Sequence, residues 1–363
     1  MAQAFQQIGC DVELVVYNSS LGEWLNRRKL LGLIWEQYGI STRFKINILP
    51  FSMLVNIEKR RDYGRLSLSW LMAYFAKWKK ADVIYARDYL MPYWTAQMGI
   101  PTIAETHVEP TDFYQKQKLY EATKLYSFKA LVSISGILAD QFVEAGVPKR
   151  KITVEQDGVD FSAFSFFDNS EILRTKRDLL QQRKAIALYA GHLYDYKGIP
   201  LILQAAERFP DISFVLVGGW EEDIRRIKKA ADDKGLKNIK LVGFIPNNSV
   251  SVYLKAADIL LLPYSAEHHQ AKTTSPLKLF EYMASGKPII AAALDNIVTV
   301  LTHKRNAFLF NPDDIDSFSD AIKTALTNAA ESEMVSKQAC FDVKQYDYRE
   351  RCSRILRFAG FDV

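Results

Sequence analysis

The stretch AKTTSPLKLFEYMASGKPIIA, residues 271–291, places a short predicted helix directly before a predicted strand. Ser275-Pro276 provides a favourable N-cap and first helical residue, and Gly286 is a favourable helix end. The run Pro288–Ala292 has the apolar, β-branched character of a buried strand. One charged residue, Glu281, lies among the aromatic and aliphatic residues of this helix. A helix that leads into a strand in this way is one step of an alternating α/β fold.

The same alternation runs through the chain in two series. The strands predicted for the first series are Val12–Tyr17, Asp82–Arg87, Pro101–Glu105, Ala130–Ser135 and Lys151–Glu155. Those of the second are Ala185–Ala190, Ile212–Val217, Ile239–Val242, Asp258–Pro263, Pro288–Ala292 and Ala307–Phe310. Strands that alternate with helices favour parallel sheets. We therefore predict two doubly wound, Rossmann-like α/β domains, residues 1–165 and 166–344, which face each other across a ligand-binding cleft.

Both ends of the chain depart from this pattern. Ala2–Ile8 resembles the second half of a helix, and a doubly wound domain needs a strand before that helix. We therefore expect the first strand of domain one to lie upstream of Met1 in a longer natural protein. An intact mass of 41.5 kDa for the native protein would contradict this expectation. At the other end, Glu331–Phe358 is predicted to be helical throughout.

The sequence also indicates the cellular compartment of the protein. The N-terminus lacks a signal-peptide pattern, and no apolar run reaches the roughly 18 residues of a membrane-spanning helix. The cysteines, Cys10, Cys340 and Cys352, have neither metal-binding nor disulfide spacing. These features favour a reducing compartment, and we expect a cytoplasmic protein.

The net charge of +5 is concentrated near the N-terminus, where residues 1–80 contain twelve Lys/Arg and six Asp/Glu. The basic clusters are Arg27-Arg28-Lys29, Lys59-Arg60-Arg61 and Lys77 with Lys79-Lys80, and the nearby tryptophans are Trp24, Trp35, Trp70 and Trp78. Solvated helix faces would explain them, and so would a surface for anionic lipid or an anionic acceptor. No DNA- or RNA-binding motif is present, so we expect no nucleic-acid partner.

Two strand ends have features of a phosphate-binding site. In YAGHLYDYKG, residues 189–198, a strand enters a loop at Gly191, and Lys197 stands just before a predicted helix. Backbone N–H groups at a helix start and a lysine both favour phosphate oxygens. The strand that ends at Gly218-Gly219 would also permit a close ligand approach. An ordinary turn with a surface lysine remains the alternative at both places.

The helix after Ser275-Pro276 offers a second kind of recognition. Its N-terminus favours an anion, whereas Glu281, one turn further, cannot usefully contact phosphate because both are negative. A carboxylate there could accept two hydrogen bonds from a vicinal diol, such as that of a ribose. The alternative is a surface ion pair of Glu281 with Lys278 or Lys287.

Two other groups of polar residues follow predicted strands. His107, in Glu105-Thr106-His107, lies at a strand end, where it would be either catalytic or a polar core residue. Asp157-Gly158 marks a turn. Asp314-Ile315-Asp316 resembles a metal-binding motif, but its place at a predicted helix start favours capping instead. We therefore predict no metal site.

In order, these segments resemble the retaining glycosyltransferases of family 4, which have the GT-B fold. The resemblance covers nearly the whole chain and is strongest from Ala185 to Leu326. The residues that carry it are YAGHLYDYKG (189–198), FVLVGG (214–219), IKLVGFIPNNSVSVYLKAADILLLPY (239–264), SPLKLFEYMASGKPIIA (275–291) and NAFLFNPDD (306–314), with support from VSISGILADQFVEAGVPKRKITVEQDGVD (132–160).

The resemblance implies that the C-terminal domain binds a nucleotide-sugar and the N-terminal domain binds the acceptor. It implies donor-binding roles for Gly191, His192, Lys197 (diphosphate), Gly218, Phe244 and Ile245 (base), Thr273, Ser275, Pro276 and Leu277 (sugar and distal phosphate) and Glu281 (ribose). The implied catalytic residues are His107, which would reach the donor sugar, Lys197 and Glu281. It also implies that the last helix, about 345–363, packs back on domain one.

Three positions depart from the family pattern. His192 replaces a usual arginine, which leaves the second cationic contact to the diphosphate unassigned. Thr273 replaces the first glutamate of a two-glutamate motif, so the donor sugar is not defined. Pro276 removes one backbone donor from the turn that faces phosphate.

The resemblance predicts transfer of a sugar from a nucleoside-diphosphate-sugar to a lipid-linked or polysaccharide acceptor, with retention of configuration and without a metal or other cofactor. We expect this enzyme to act in the cytoplasm, with peripheral contact to the anionic inner membrane face. A GT-B sugar-nucleotide epimerase and a non-catalytic sugar-nucleotide-binding protein are the alternatives. A Rossmann dehydrogenase is disfavoured because no GxGxxG motif opens a strand–helix unit.

Overall fold

The computed structural model describes residues 1–17, 31–32, 34–35, 40, 44–49, 61–164, 168–180, 182–267 and 277–363, with residues 49 and 61–67 described by their backbone alone. The chain divides into two compact units. Unit 1 comprises Met1–Gln156 and Tyr348–Val363, and unit 2 comprises Asp157–Asp347. The boundary therefore follows Gln156, earlier than the predicted boundary after residue 165.

Unit 1 is built on parallel strands. Its strands are β1 (Glu13–Tyr17), β2 (Lys45–Leu49), β3 (Ile84–Ala86), β4 (Thr102–Thr106), β5 (Phe128–Ser133) and β6 (Ile152–Val154). The helices are α1 (Ala2–Gln7), α2 (Arg61–Trp78), α3 (Met91–Gln97), α4 (Phe113–Thr123) and α5 (Gly136–Glu144). Strands β1 and β2 form a parallel pair, and the other four form a parallel sheet in the order β3-β4-β5-β6. Sequence analysis did not predict β2.

Unit 2 contains a six-stranded parallel sheet. Its strands are β7 (Ala185–Ala190), β8 (Ile212–Val217), β9 (Ile239–Gly243), β10 (Ile259–Leu262), β11 (Ile289–Ala292) and β12 (Phe308–Phe310). The helices are α6 (Asn169–Leu180), α7 (Ile199–Arg208), α8 (Glu221–Asp233), α9 (Asn247–Ala256), α10 (Leu277–Ser285), α11 (Asp295–Val298), α12 (Ile315–Thr327) and α13 (Ala329–Asp342). The strand order is β12-β11-β10-β7-β8-β9.

This strand order indicates where a ligand would bind to unit 2. From β7 the chain proceeds outward through β8 and β9, and it then returns to β10 on the other side of β7. In open α/β sheets the crevice at such a reversal, beyond the carboxyl ends of the strands, is the usual ligand site. The switch point of unit 2 is therefore formed by the residues that follow Ala190 in β7 and Leu262 in β10.

The last helix, α14 (Tyr348–Phe358), belongs to unit 1 although it follows unit 2 in the chain. Its apolar residues Ile355 and Leu356 share a buried cluster with Phe5 of α1 and Ile103 of β4. The prediction of one continuous helix over 331–358 is wrong, because a 3-10 turn at Val343–Tyr346 separates α13 from α14. Among the described helices, none is both long enough and apolar enough to cross a membrane.

Candidate functional site

Two glycines pack against each other at the switch point of unit 2. Gly191 follows β7 and donates its N–H to the Val217 carbonyl oxygen at 2.8 Å, and Gly218 donates its own to Gly243 at 2.7 Å. Gly218 has a φ of +102°, and a β-carbon there would lie 2.6 Å from the carbonyl oxygen of Gly191. Only glycine permits this conformation and this approach, so the turns after β7 and β8 pack backbone against backbone.

Lys197 lies in the loop that follows Gly191. It ends a 3-10 turn, Asp195–Lys197, that leads into α7 through Gly198. Its Nζ lies 4.1 Å from the centre of the Tyr264 ring, which follows β10. Burial lowers the pKa of Lys197 to about 8. Among the residues that the structure describes, no carboxylate pairs with this lysine, so its charge is available to an anion.

A second lysine reaches the switch point from α10. The ammonium of Lys278 donates a hydrogen bond to the Tyr189 hydroxyl at 2.8 Å, and that hydroxyl donates in turn to the His192 carbonyl oxygen at 2.6 Å. Burial raises the pKa of Tyr189 well above its usual range, so the phenol is neutral. Sequence analysis considered Lys278 only as a surface partner for Glu281 and missed this position.

Glu281 lies one turn further along α10 and is partly buried. Within the described part of the chain it forms an ion pair with neither Lys278 nor Lys287, so the surface-pair alternative is wrong. Burial raises the pKa of Glu281, and the nearby charge of Lys278 opposes that rise. The next residue, Tyr282, is fully buried and accepts a hydrogen bond from the Ala190 N–H at 2.8 Å. This bond holds α10 against the end of β7.

His192 lies in a row of exposed aromatic rings. Its ring stacks on Tyr194, with centres 5.3 Å apart and an interplanar angle of 12°, and it lies 5.8 Å from the centre of the Trp220 ring. The Trp220 side chain is 60% exposed. The imidazole is therefore stacked at the rim of the loop, whereas the backbone carbonyl of His192 points inward to Tyr189.

The loop that carries Lys197 is held from α8 by Arg226, which sequence analysis also missed. One guanidinium nitrogen of Arg226 donates to Asp195 Oδ1 at 2.6 Å, and another donates to the Leu193 carbonyl oxygen at 2.8 Å. A planar guanidinium that binds a carboxylate and a backbone oxygen together restrains both. These contacts fix the residues between Gly191 and Lys197.

The remaining predicted donor-binding residues lie farther along the same edge or outside the described residues. Phe244 and Ile245 follow β9, which is the outermost strand on its side of the sheet. Phe244 is 74% exposed, and Ile245 packs against the core of unit 2. Leu277, the first described residue of α10, is 49% exposed. Thr273, Ser275 and Pro276 lie outside the described residues.

In unit 1, His107 follows β4 and pairs with a buried carboxylate. Its Nε2 lies 2.6 Å from Glu105 Oε1, and Arg87 Nη2 lies 3.1 Å from its Nδ1. Glu105 is also bonded by Arg351 of α14 at 2.8 Å. Burial acts to raise the pKa of Glu105, but the hydrogen bond from His107 and the charge of Arg351 hold it below its usual value. The His107 side chain remains 29% exposed, so it can still contact a ligand.

The acidic pair at the start of α12 has local partners. Asp314 Oδ1 accepts hydrogen bonds from the N–H groups of Asp316 at 2.9 Å and Ser317 at 3.0 Å. Asp316 pairs with Arg208. The capping interpretation of Asp314 is therefore confirmed, and the carboxylates of this motif are used in capping and ion pairing.

Comparison with known proteins shows what unit 2 is similar to. Residues 173–340, most of unit 2, match the family Glycosyl transferases group 1. The match covers less than half of the chain, and it confirms the predicted resemblance at the level of group 1 glycosyltransferases.

Two relatives illustrate the range of this class. A sulfoquinovosyl transferase of Arabidopsis thaliana is 22% identical over 62% of this chain. An Escherichia coli UDP-Gal:alpha-D-GlcNAc-diphosphoundecaprenol alpha-1,3-galactosyltransferase is 28% identical over 49% of it. The matched regions span 43% and 46% of these two relatives, so each match covers less than half of the relative's length.

The fold also has solved counterparts. The crystal structure of the Anabaena protein Alr3699/HepE, in complex with UDP and glucose, matches 95% of this chain and 99% of its own with a TM-score of 0.71 at 16% sequence identity. Identity this low shows the fold alone. The predicted α/β fold of GT-B type, with Rossmann-like parallel sheets in both units, is confirmed.

Proposed function

We propose that this protein transfers a sugar from a nucleoside-diphosphate-sugar to a lipid-linked or polysaccharide acceptor, with retention of anomeric configuration. The observation that carries the proposal is Lys197, a partly buried cation without a carboxylate partner among the described residues, next to the glycine turns at the switch point. A diphosphate supplies the negative charge that this position lacks. The family match of unit 2 supports the same class of donor.

The donor would extend along the carboxyl edge of the unit 2 sheet. Lys197 and the turns at Gly191, His192 and Gly218 would receive the diphosphate, and the carboxylate of Glu281 would accept hydrogen bonds from the ribose diol. The base would lie toward Phe244 and Ile245. Thr273, Ser275 and Pro276, which precede α10, and Leu277 at its start would contact the sugar. The Anabaena protein was crystallised in complex with UDP and glucose, which supports a uridine nucleotide as the first donor to test.

The chemical step would break the bond between the sugar C1 and the phosphate oxygen. Negative charge then develops on the departing diphosphate, and a preorganised cation such as Lys197 stabilises it in the transition state. The acceptor hydroxyl would attack C1 from the face that the phosphate leaves, and its proton would pass to the departing phosphate oxygen. This route retains configuration without a protein nucleophile. We assign His107 to the donor sugar, with Glu105 fixing its orientation.

We propose that the chain needs neither a metal nor another cofactor for this step. Lysine ammonium groups and the N–H groups of a helix start provide positive potential of the kind that a divalent cation supplies in other transferases. Transfer that is unchanged by EDTA would support this proposal, and loss of transfer that is restored by Mg²⁺ or Mn²⁺ would contradict it.

A membrane-linked acceptor is favoured by the surface of α2. Trp70, Tyr74 and Trp78 follow one another at four-residue spacing and are 43%, 57% and 69% exposed. Tryptophan and tyrosine side chains are suited to the interface between water and lipid. Lys77 and Lys80 add positive charge near this stripe, while Lys79 is paired with Glu13 at 3.2 Å. The basic clusters around residues 27–29 and 59–60 lie outside the described residues. We propose that α2 contacts the anionic inner membrane face in the cytoplasm.

The experiment that tests the function measures nucleoside diphosphate release from a panel of nucleotide-sugars, with and without a cell-envelope lipid extract. Release that depends on the extract, together with a new α- or β-linkage matching the donor, is the expected result. A free sugar product or an epimerised sugar nucleotide that forms without an acceptor would favour the epimerase. Tight binding with no turnover would favour a non-catalytic protein.

A further inference from the structure

Lys278 is a partly buried lysine that the proposed donor contacts do not yet use. Its ammonium makes one hydrogen bond among the described residues, to the neutral hydroxyl of Tyr189, and lies 4.0 Å from the centre of that ring. No carboxylate within the described parts of the chain pairs with it. A β-carbon built on Gly191 would overlap the Lys278 ammonium. The absence of a side chain at Gly191 therefore gives this ammonium its place at the end of β7.

Lys278 and Lys197 converge on one aromatic ring. The ammonium of Lys278 lies 5.6 Å from the centre of the Tyr264 ring, and that of Lys197 lies 4.1 Å from it. Two like charges in a partly buried place repel each other, and burial penalises both. The acidic group that offsets them, Glu281, lies one turn away on α10 without an ion pair to either. The site therefore disfavours the charged forms of the two lysines until an anion binds.

We propose that Lys278 is a second diphosphate-binding residue and that it supplies the cationic contact that His192, stacked at the rim, does not. This inference rests on the proposed function. The chemical class of its ligand is a nucleoside diphosphate, whose two phosphates carry the charge needed to balance two lysines. Tyr189 holds the ammonium in place until the phosphate oxygen replaces the phenol as its partner. The same phenol donates a hydrogen bond to the His192 carbonyl oxygen. Replacement of the phenol by phosphate therefore also affects a contact of the loop that begins at Gly191.

Binding of a diphosphate at Lys278 should be coupled to the uptake of protons. Burial, aided by the charge of Lys197 and opposed by that of Glu281, lowers the pKa of Lys278 well below its usual range. The groups that face the ammonium are Tyr189 from β7, Tyr264 from β10, Lys197 from the 3-10 turn and Glu281 from α10. A bound diphosphate raises the pKa of the lysines that it contacts, so binding takes up protons.

The first test compares the affinity of the intact protein and its variants for UDP by calorimetry. Lys278→Met should weaken UDP binding by at least about tenfold, since it removes a charge-assisted hydrogen bond. The variant should fold, because methionine replaces a partly buried lysine with an apolar group of similar length. The matched control is Lys287→Met, which removes another lysine whose pKa burial lowers. Lys287 precedes β11 at the opposite edge of the sheet, and its loss should change UDP affinity less than about twofold.

The second test measures proton uptake from the binding enthalpy in buffers of different ionisation enthalpy. At about pH 8.5 both phosphates of UDP are ionised, since the second phosphate pKa is about 6. The unsubstituted protein should take up protons when it binds UDP, and Lys278→Met should take up fewer. A purely structural role for Lys278 would change affinity without this difference.

The outcomes separate this inference from the proposed function. If the protein binds UDP and transfers sugar, but Lys278→Met binds UDP with unchanged affinity and proton uptake, the assignment of Lys278 is wrong and the function stands. If the protein binds none of UDP, ADP, GDP and CDP, both are wrong.

Discussion

Arg351 and Glu105 form an ion pair of 2.8 Å in which about 1% of each side chain is exposed, although they lie 246 positions apart in the chain. Arg351 also donates to the carbonyl oxygens of Gln156 at 2.7 Å and Glu155 at 2.9 Å. The first prediction is that Arg351→Met destabilises unit 1 by about 3–5 kcal/mol, because it leaves a buried carboxylate without its cation. Urea denaturation measures the loss.

The control for this substitution is Arg354→Met on the same helix. Arg354 pairs with Glu155 at 2.8 Å, and 37% of the Arg354 side chain but only 10% of the Glu155 side chain is exposed, so its loss should cost less than that of Arg351, about 1–2 kcal/mol. The difference should also depend on pH. Because its partners lower the pKa of Glu105, the pair contributes stability above the unfolded pKa and loses it as the pH falls through the lower, folded value. Equal losses for the two variants at neutral pH would refute the prediction.

The second prediction concerns Lys197. Lys197→Ala should reduce sugar transfer by at least about tenfold, or about 1.4 kcal/mol, because the charge that develops on the leaving diphosphate loses its cation. The pKa of about 8 adds a pH signature, since the affinity for a nucleoside diphosphate should fall as the pH rises above that value and the amine loses its proton. Steady-state rates and UDP titrations across pH 7–10 measure both effects.

The control for Lys197 is Lys184→Ala, which removes an exposed lysine paired with Asp211 at the opposite end of β7. Its rate and pH profile should match those of the unsubstituted protein. If Lys197→Ala retains near-normal transfer, the assignment of the diphosphate to this turn fails.

The third prediction tests the ribose assignment of Glu281. The unsubstituted protein should bind UDP more tightly than 2′-deoxy-UDP, and Glu281→Ala should remove this preference by weakening UDP about tenfold. The variant should be as stable as the original or more so, because burial raises the pKa of Glu281 and so penalises its charged form. A preference for UDP that persists in the variant would assign the 2′-hydroxyl to another residue.

The fourth prediction concerns the close approach at Gly191, which has a φ of +137°. Gly191→Ala should destabilise unit 2 by about 1–3 kcal/mol and weaken UDP binding, since it strains the backbone and displaces the Lys278 ammonium. Thermal unfolding and calorimetry measure the two effects. Gly235→Ala is the control, because its φ is +67° and a β-carbon there would meet nothing within 4 Å. It should lower stability only modestly and leave UDP affinity unchanged.

The fifth prediction concerns the membrane surface. Exchange of Trp70 and Trp78 for serine should reduce binding to vesicles of anionic phospholipid by about tenfold, because it removes two interfacial aromatic anchors. Co-sedimentation measures binding, with neutral vesicles as a comparison. Phe341→Ser, which removes an aromatic side chain 67% exposed in unit 2, should have no effect. If the double variant binds as well as the original, α2 is not the contact surface.

The strands of unit 2 were predicted well because the central strands are buried on both faces. Predicted and observed bounds agree for β7 (Ala185–Ala190) and β8 (Ile212–Val217). The break between α13 and α14 was not predictable, since Val343–Tyr346 contains neither glycine nor proline. In the structure Val343 is fully buried, and Tyr346 packs on Phe280 with ring centres 4.8 Å apart. Tertiary packing, which local sequence does not encode, ends the helix there.

Some residues of the candidate site could be predicted from the sequence, and others could not. Gly191, Gly218 and Lys197 could be selected from sequence because each follows an evident strand, and parallel strands end at one edge. Lys278 was undervalued because its spacing from Glu281 matches a surface pair. Its contact with Tyr189, 89 residues away, depends on how α10 packs against β7. The ion pair of Arg351 with Glu105 likewise could not be predicted from local sequence, because the two residues lie 246 positions apart.

The position of α14 in the chain has a consequence for biosynthesis. A ribosome that has finished β6 must still make all of unit 2 before Arg351 emerges, 195 residues after Gln156, to which it bonds. Domains ordinarily fold as units during synthesis, the N-terminal one first. Here the N-terminal unit lacks α14, and Glu105 lacks its cation, until unit 2 has been synthesised. The nascent chain therefore passes through a stage in which all of unit 2 has been synthesised and unit 1 still lacks its last helix.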